Sequence, residues 1–256
     1  MPSMLAALQS GLAALALLAW MLLGGLYQRL IVYPAVYLRP EWRSAWTSRY
    51  FRGMSHGILF WVRMGGATLR RTGTIGTTSP VLVLMNHQSL LDIPTAGLLS
   101  WPFVPWFVTR KRYHYGVPAV SPCLRLMGCP VIDPLDRRGS LRAMKEAARV
   151  LEHGMLIFAE GHRTRDGEIQ PFQTAGVLTV LRARRLPVYL IVTDGFWAAR
   201  RLVDFVFGTG KIRGETEVLG RFEPPADPEG LPAFVEGLRE TMIAHLAHMR
   251  RRRAAA

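Results

Sequence analysis

The chain has 256 residues, half of them hydrophobic, and 32 Lys and Arg against 18 Asp and Glu, a formal net charge of +14. That length accommodates one α/β domain with a small accessory segment. The charge leaves nucleic acid, anionic lipid headgroups, CoA and acidic carrier proteins open as partners. The two cysteines, Cys123 and Cys129, form no C-x-x-C pair and leave no second pair, which excludes a cysteine zinc site; they fit a reducing compartment or simple burial.

No side chain from Met1 to Gln28 is charged, and Met4–Leu26 is apolar except at Gln9 and Ser10. About 20 apolar residues suffice to cross a bilayer core as a helix. A signal peptide normally has a basic leading region and a shorter apolar core. An uncleaved anchor is therefore expected, with a partly embedded two-helix hairpin as the other arrangement. Downstream stand Arg29, Arg39, Arg43, Arg49, Arg52, Arg63, Arg70 and Arg71 against the single acid Glu41. Positive charge beside a membrane segment stays cytoplasmic, so the body of the protein is expected on the cytoplasmic side, in a bacterial-type inner membrane. Tyr27, Tyr33, Tyr37, Trp42, Trp46 and Trp61 suit the interfacial zone, and Gly57–Gly66 is amphipathic enough to lie on or dip into it. The expected division is an anchor over 1–71 and an α/β domain over 72–256.

Residues 72–79 are rich in Gly and Thr and read as a linker. An alternation follows: strand Val81–Met85, helix Leu90–Leu99 with Pro94 in its first turn, strand Val104–Val108, strand Cys129–Ile132, helix Gly139–His153, strand Met155–Phe158, helix Thr174–Arg184, strand Val188–Val192, strand Thr216–Leu219 and helix Leu231–Met249. Alternating strands and helices imply an α/β fold with a mixed, mostly parallel sheet flanked by helices, preceded by the membrane-embedded helical segment.

Two polar clusters follow buried strands. The first is Asn86-His87-Gln88-Ser89-Leu90-Leu91-Asp92. Five positions on one regular helix do not share a face, so His87 and Asp92 meet only across a loop-to-helix turn, which this layout supplies. An imidazole paired with a carboxylate has its tautomer fixed and its basicity raised, and it can take a proton from a hydroxyl attacking a thioester. A capping Asp beside an unrelated surface His explains the spacing equally. The second cluster, Phe158-Ala159-Glu160-Gly161-His162-Arg163-Thr164, sets a carboxylate, a glycine and an arginine suited to phosphate together, or forms an ordinary strand-end turn with a Glu–Arg ion pair.

In this order, and about 70 residues apart, these clusters resemble the glycerolipid acyltransferase family typified by 1-acyl-glycerol-3-phosphate acyltransferase. Asn86, His87 and Asp92 match the family's N-H-x-x-x-x-D motif in full. Phe158, Glu160, Gly161 and Arg163 match its F-P-E-G-T-R motif, from which Ala159 and His162 depart. Gly128, Val131, Ile132 and Asp133 fit its looser second motif, with Pro134 where an arginine is usual and Arg137 three residues on. Leu186-Pro187-Val188-Tyr189-Leu190 fits the fourth. The resemblance covers about residues 80–195.

It implies a catalytic pair, His87 and Asp92, acting on an acyl-CoA or acyl carrier protein donor and a lysophospholipid acceptor, with no metal, no cofactor and no acyl-enzyme. Lys111, Arg137 and Arg163 are the candidates for the acceptor phosphate, with Glu160 and Gly161 at the glycerol or the arginine, and Asn86 and Ser89 in a segment whose backbone N–H groups face the developing oxyanion. The departures at Pro134 and His162 leave room for another acceptor, such as a lyso-ornithine lipid or lysophosphatidylglycerol, or for a transacylase. The rival class is a non-enzymatic, membrane-tethered basic binding protein. Gly53-Met54-Ser55-His56-Gly57 matches G-x-S-x-G but lacks the preceding apolar strand that a nucleophile elbow needs. His245 and His248 have no carboxylate nearby in sequence to complete a metal site. The tail Arg250–Arg253 is expected on anionic lipid or in solvent rather than on nucleic acid.

Overall fold

The computed structural model describes residues 4–197, 199, 204 and 208–255. Helix α1 (Met4–Tyr27) passes through a π turn into α2 (Tyr33–Leu38), and α3 (Arg43–Met64) folds back along α1. The two lie antiparallel: Gln9 Nε2 donates to Met64 O at 2.7 Å, and Trp20 Nε1 to Met54 O at 3.2 Å. Gly57 permits this approach, since a Cβ there would stand 2.1 Å from the Trp20 ring. Met4–Leu38 is long and apolar enough to cross a membrane, and only 11% of its most apolar window is buried in the protein. Leu8, Leu12, Leu15 and Leu22 are more than half exposed, whereas a core helix would hide them. An apolar face of this length marks a membrane-associated segment. The expected interfacial run Gly57–Gly66 is the second half of α3 and the turn after it, and Ser55 is buried in mid-helix rather than at a strand-to-helix elbow.

The strands, in chain order, are β1 (Thr68–Thr72), β2 (Ile75–Gly76), β3 (Val81–Met85), β4 (Ser100–Trp101), β5 (Trp106–Phe107), β6 (Thr109–Arg110), β7 (Val131–Ile132), β8 (Gly154–Ile157), β9 (Val188–Asp194) and β10 (Arg213–Phe222). Among the described residues, six form the main sheet in the order β1-β10-β9-β3-β8-β5. Strands β9, β3, β8 and β5 are parallel; β10 pairs antiparallel with β9 and parallel with β1. The sheet is mixed and mostly parallel, as the alternation implied. Every residue of β3 is buried, which is why it reads as the continuous apolar run VLVLM.

On one face lie α6 (Arg137–Arg149), α7 (Thr174–Ala183) and α8 (Leu231–Ala254), whose Val235, Leu238, Met242, Leu246 and Met249 recur at helical spacing and are buried. The other face is covered by α3 with α4 (Asp92–Leu99) and α5 (Val120–Met127).

Several boundaries differ from expectation. Strand β1 carries the sequence TLRRT, too charged to signal a strand, yet it forms the sheet edge with only Leu69 buried and Arg71 half-buried. The expected boundary at 71/72 therefore falls inside a strand, and the linker 72–79 contains β2, which pairs with β4. The strand expected at Cys129–Ile132 is only Val131–Ile132, outside the main sheet and paired with β6. Helix α5 was not foreseen.

Candidate active site

Parallel register places the two sequence clusters side by side. Leu84 of β3 pairs with Ile157 of β8, so three residues further along each strand His87 and Glu160 emerge together at the carboxyl ends. Ligands of open α/β sheets bind at this edge. On the other flank Met85 pairs with Ile191 of β9.

His87 Nδ1 lies 2.8 Å from Asp92 Oδ2, across the loop-to-helix turn that the spacing required. Asp92 is the first residue of α4 and is completely buried. The same oxygen accepts the backbone N–H groups of Gln88 at 2.6 Å and Ser89 at 2.8 Å, so the carboxylate closes the loop as well as holding the ring. Among the described residues Asp92 Oδ1 has no hydrogen-bond partner. The His87 ring stacks on Phe158 with centroids 3.9 Å apart and planes 19° apart, which fixes the remaining rotation. With Nδ1 held and the side chain 16% exposed, Nε2 is the nitrogen left for proton transfer.

The second cluster grips the first through its backbone. His87 N donates to Glu160 Oε1 at 2.8 Å, and His87 O accepts from Thr164 N at 2.8 Å. Glu160 Oε2 accepts from Gln170 N at 2.9 Å. Both oxygens of this buried carboxylate thus accept main-chain N–H groups, one of them in the His87 loop. Burial pushes its carboxyl up to about 7, against the downward pull of the two N–H bonds. Gly161 adopts φ +73°, and a Cβ there would strike Gln173 at 2.6 Å.

Asn86 and Ser89 also face inward. The Asn86 amide donates to Thr193 O at 2.9 Å and accepts from Thr193 N at 2.8 Å, tying the end of β3 to β9. Ser89 Oγ donates to Ala199 O at 2.5 Å. With the His87, Gln88 and Ser89 N–H groups spent on Glu160 and Asp92, this segment does not offer the row of oxyanion donors expected of it.

The cations occupy a looser rim. Lys111 Nζ stands 3.3 Å from Asp133 Oδ2, with 68% of the lysine side chain exposed. The Leu135 N–H and then Lys111 hold the Asp133 carboxyl below its ordinary value. Arg137 is exposed at the start of α6, and Arg163 is half-buried beside the exposed His162. Arg110, which the sequence reading passed over, extends from β6 and donates to Gly161 O, bracing the second cluster. No signal in the linear sequence marks it, because the contact depends on the pairing of β5 with β8.

Three of the four C-terminal arginines are held by carboxylates. Arg253 pairs with Asp194 at 3.0 Å and Arg252 with Glu215 at 2.6 Å. Arg250 Nη2 donates to Gly167 O at 2.9 Å and lies 3.4 Å from Asp194 Oδ1. Gln88 Nε2 bonds to those same two acceptors, which connects the tail to the His87 loop. His245 bonds to Glu217 at 2.7 Å, a partner far away in sequence.

A family model described as Acyltransferase matches residues 49–193, more than half of the chain and both clusters. The chain belongs to the acyltransferase family. Among the relatives of this acyltransferase chain is the 1-acyl-sn-glycerol-3-phosphate acyltransferase of Limnanthes douglasii, 25% identical over 68% of this chain and 59% of that protein. The Helicobacter pylori (strain J99) protein of the same name is 30% identical over 40% of this chain and 43% of its own length. A chloroplastic relative from Brassica napus is 28% identical over 52% of this chain and 35% of that one. The matched stretches thus span about a third to three-fifths of those relatives. The crystal structure of the 1-acyl-sn-glycerophosphate acyltransferase PlsC from Thermotoga maritima shares the fold, with a TM-score of 0.65 at 16% identity over 92% of this chain and 98% of that one.

Proposed function

We propose that the protein transfers a fatty-acyl group from acyl-CoA or an acyl carrier protein to the free hydroxyl of a lysophospholipid, 1-acyl-glycerol-3-phosphate above all, giving phosphatidic acid. The observation that carries this reading is the buried Asp92 carboxylate 2.8 Å from His87 Nδ1 at the carboxyl edge of a parallel sheet, in a chain of the acyltransferase family. His87 Nε2 removes the acceptor hydroxyl proton as that oxygen attacks the thioester carbonyl. Asp92 steadies the imidazolium that forms. The tetrahedral adduct collapses, the C–S bond breaks, and the departing sulfur takes the proton from His87 Nε2, leaving as the free thiol and restoring the neutral imidazole. No covalent acyl-enzyme is needed, and the chemistry calls on no metal or cofactor. Lys111, Arg137 and Arg163 attract the acceptor phosphate to the rim, and Glu160, Asn86 and Ser89 position the loop.

The exposed leucines of α1 support a site working at a lipid surface, where a lysophospholipid partitions. The arginines that follow α1 favour the cytoplasmic face of an inner membrane.

The test is acyl transfer by detergent-solubilised protein from labelled acyl-CoA and, in parallel, acyl carrier protein. Lysophosphatidic acid and a panel of other lyso-lipids serve as acceptors, with His87→Ala as control. Phosphatidic acid formed by the wild type alone supports donor, acceptor and base together. Transfer to another acceptor reassigns the substrate, and no transfer with any pair from folded protein overturns the reading.

A further inference from the structure

A second cleft, of about 530 Å³, opens between the helical hairpin and the sheet edge, and no residue of the two sequence clusters lines it. Its apolar walls are Trp20 of α1 with Phe60 and Trp61 of α3; its polar groups are His56 and Arg63 of α3 and Arg71 of β1. Among the described residues the lining holds no carboxylate to balance these bases. Arg63 spends one nitrogen on Leu69 O at 2.7 Å. Arg71 is half-buried, and among the described residues its buried Nη1 has no hydrogen-bond partner. Burial, and then Arg63 beside it, pulls the Arg71 guanidinium below its ordinary value. An unpaired buried charged donor is among the costlier features a fold retains. An anion in the cleft removes that cost and the repulsion between the two guanidinium groups at once.

The walls narrow the choice of anion. Indole and phenyl rings interleaved with arginines are the side chains that settle at headgroup depth. Phe60 and Met64 of α3 are half exposed or more, and the bare leucines of α1 continue the apolar surface beside them. We propose that this cleft binds the phosphodiester headgroup of an anionic glycerophospholipid, at a site separate from the His87 cleft.

The experiment titrates the full-length protein, solubilised in detergent, with dioctanoylphosphatidylglycerol and follows the fluorescence of its tryptophans, two of which line the cleft. Dioctanoylphosphatidylcholine is the uncharged-headgroup control. Arg71→Gln removes the unpaired guanidinium. Arg70→Gln removes the same charge one residue away, on the exposed face of the same strand. Gly53→Leu fills the cleft without changing charge, since a Cβ at Gly53 has nothing within 4 Å. Arg71→Gln and Gly53→Leu are each expected to weaken binding about fivefold or more, and Arg70→Gln less than about twofold. If Arg71→Gln fails to fold, Gly53→Leu alone carries the test. Equal losses in all three variants, wild-type binding by Gly53→Leu, or competition by inorganic phosphate as effective as the lipid's own at matched ionic strength would each overturn the proposal.

Discussion

The loop carrying His87 and the rim carrying Lys111 and Arg137 are held in opposite ways. In the loop, the His87 N–H, carbonyl, Nδ1 and ring face each have a partner, and the side chains of Asn86, Gln88, Ser89, Asp92 and Glu160 are buried. On the rim, Lys111 is mostly exposed and its pairing with Asp133 is screened by solvent. A proton-transferring nitrogen must be placed to within tenths of an ångström, and only over-determined burial does that. A charge that attracts a phosphate acts over several ångströms and tolerates drift. Of the departures from the family motifs, Pro134 and His162 lie on the exposed side of this divide, and Ala159 on the buried side.

The largest expected effect is at the pair itself. His87→Ala and Asp92→Asn each reduce kcat about 10²–10⁴-fold in the acyl-transfer assay. A loss under tenfold removes the general base from the scheme.

Glu160→Gln comes next, because it opposes an amide N–H₂ to one of two backbone N–H donors and costs about 1–3 kcal/mol of stability. It also changes the pH dependence. The carboxyl stands near 7 in the fold against about 4.5 when unfolded, so the folded state binds the extra proton between those values. The wild type's stability from this group is complete below about 4.5 and is lost as pH rises through about 7. Thermal melts from pH 4.5 to 8 should show that decline in the wild type and a flatter profile for Glu160→Gln; parallel profiles would separate Glu160 from the titration.

Rim substitutions should act more gently. Lys111→Ala and Arg137→Ala are each expected to raise KM for the phosphate-bearing acceptor about three- to tenfold, with kcat nearly unchanged. An equal fall in kcat would place them with the loop. The smallest effect belongs to Arg250→Gln, which removes the guanidinium sharing Gly167 O and Asp194 with Gln88. A fall in kcat of about two- to fivefold at constant KM is the signature of a positioning residue. A rise in KM alone would reassign this arginine to the substrate.

The sequence disclosed those parts whose cause is local. The VLVLM run is apolar because both faces of its strand are covered, and the His87–Asp92 spacing demanded the turn that is found. It was silent where the cause is a meeting of distant segments. Glu160 looked like a partner for an arginine three residues away, yet its partners are main-chain N–H groups, one of them 73 residues distant. The tail arginines looked free because Asp194, Glu215 and Glu217 come beside them only when α8 folds back along β9 and β10. Strand β1 was missed because an exposed edge carries charge in place of alternation.

The seating of α1 has a consequence for biosynthesis. Ser10 in its first half is buried and bonds to Gly65 O and to Thr209 Oγ1, 199 residues later in the chain. At about 5–20 residues per second, α1 waits on the order of 10–40 s for that partner to be made. Its leucines stay bare even in the finished fold, so a lipid surface or a chaperone must cover them throughout that interval. The Ser10 end of α1 is therefore fixed late, long after α3 has been made to pack along it.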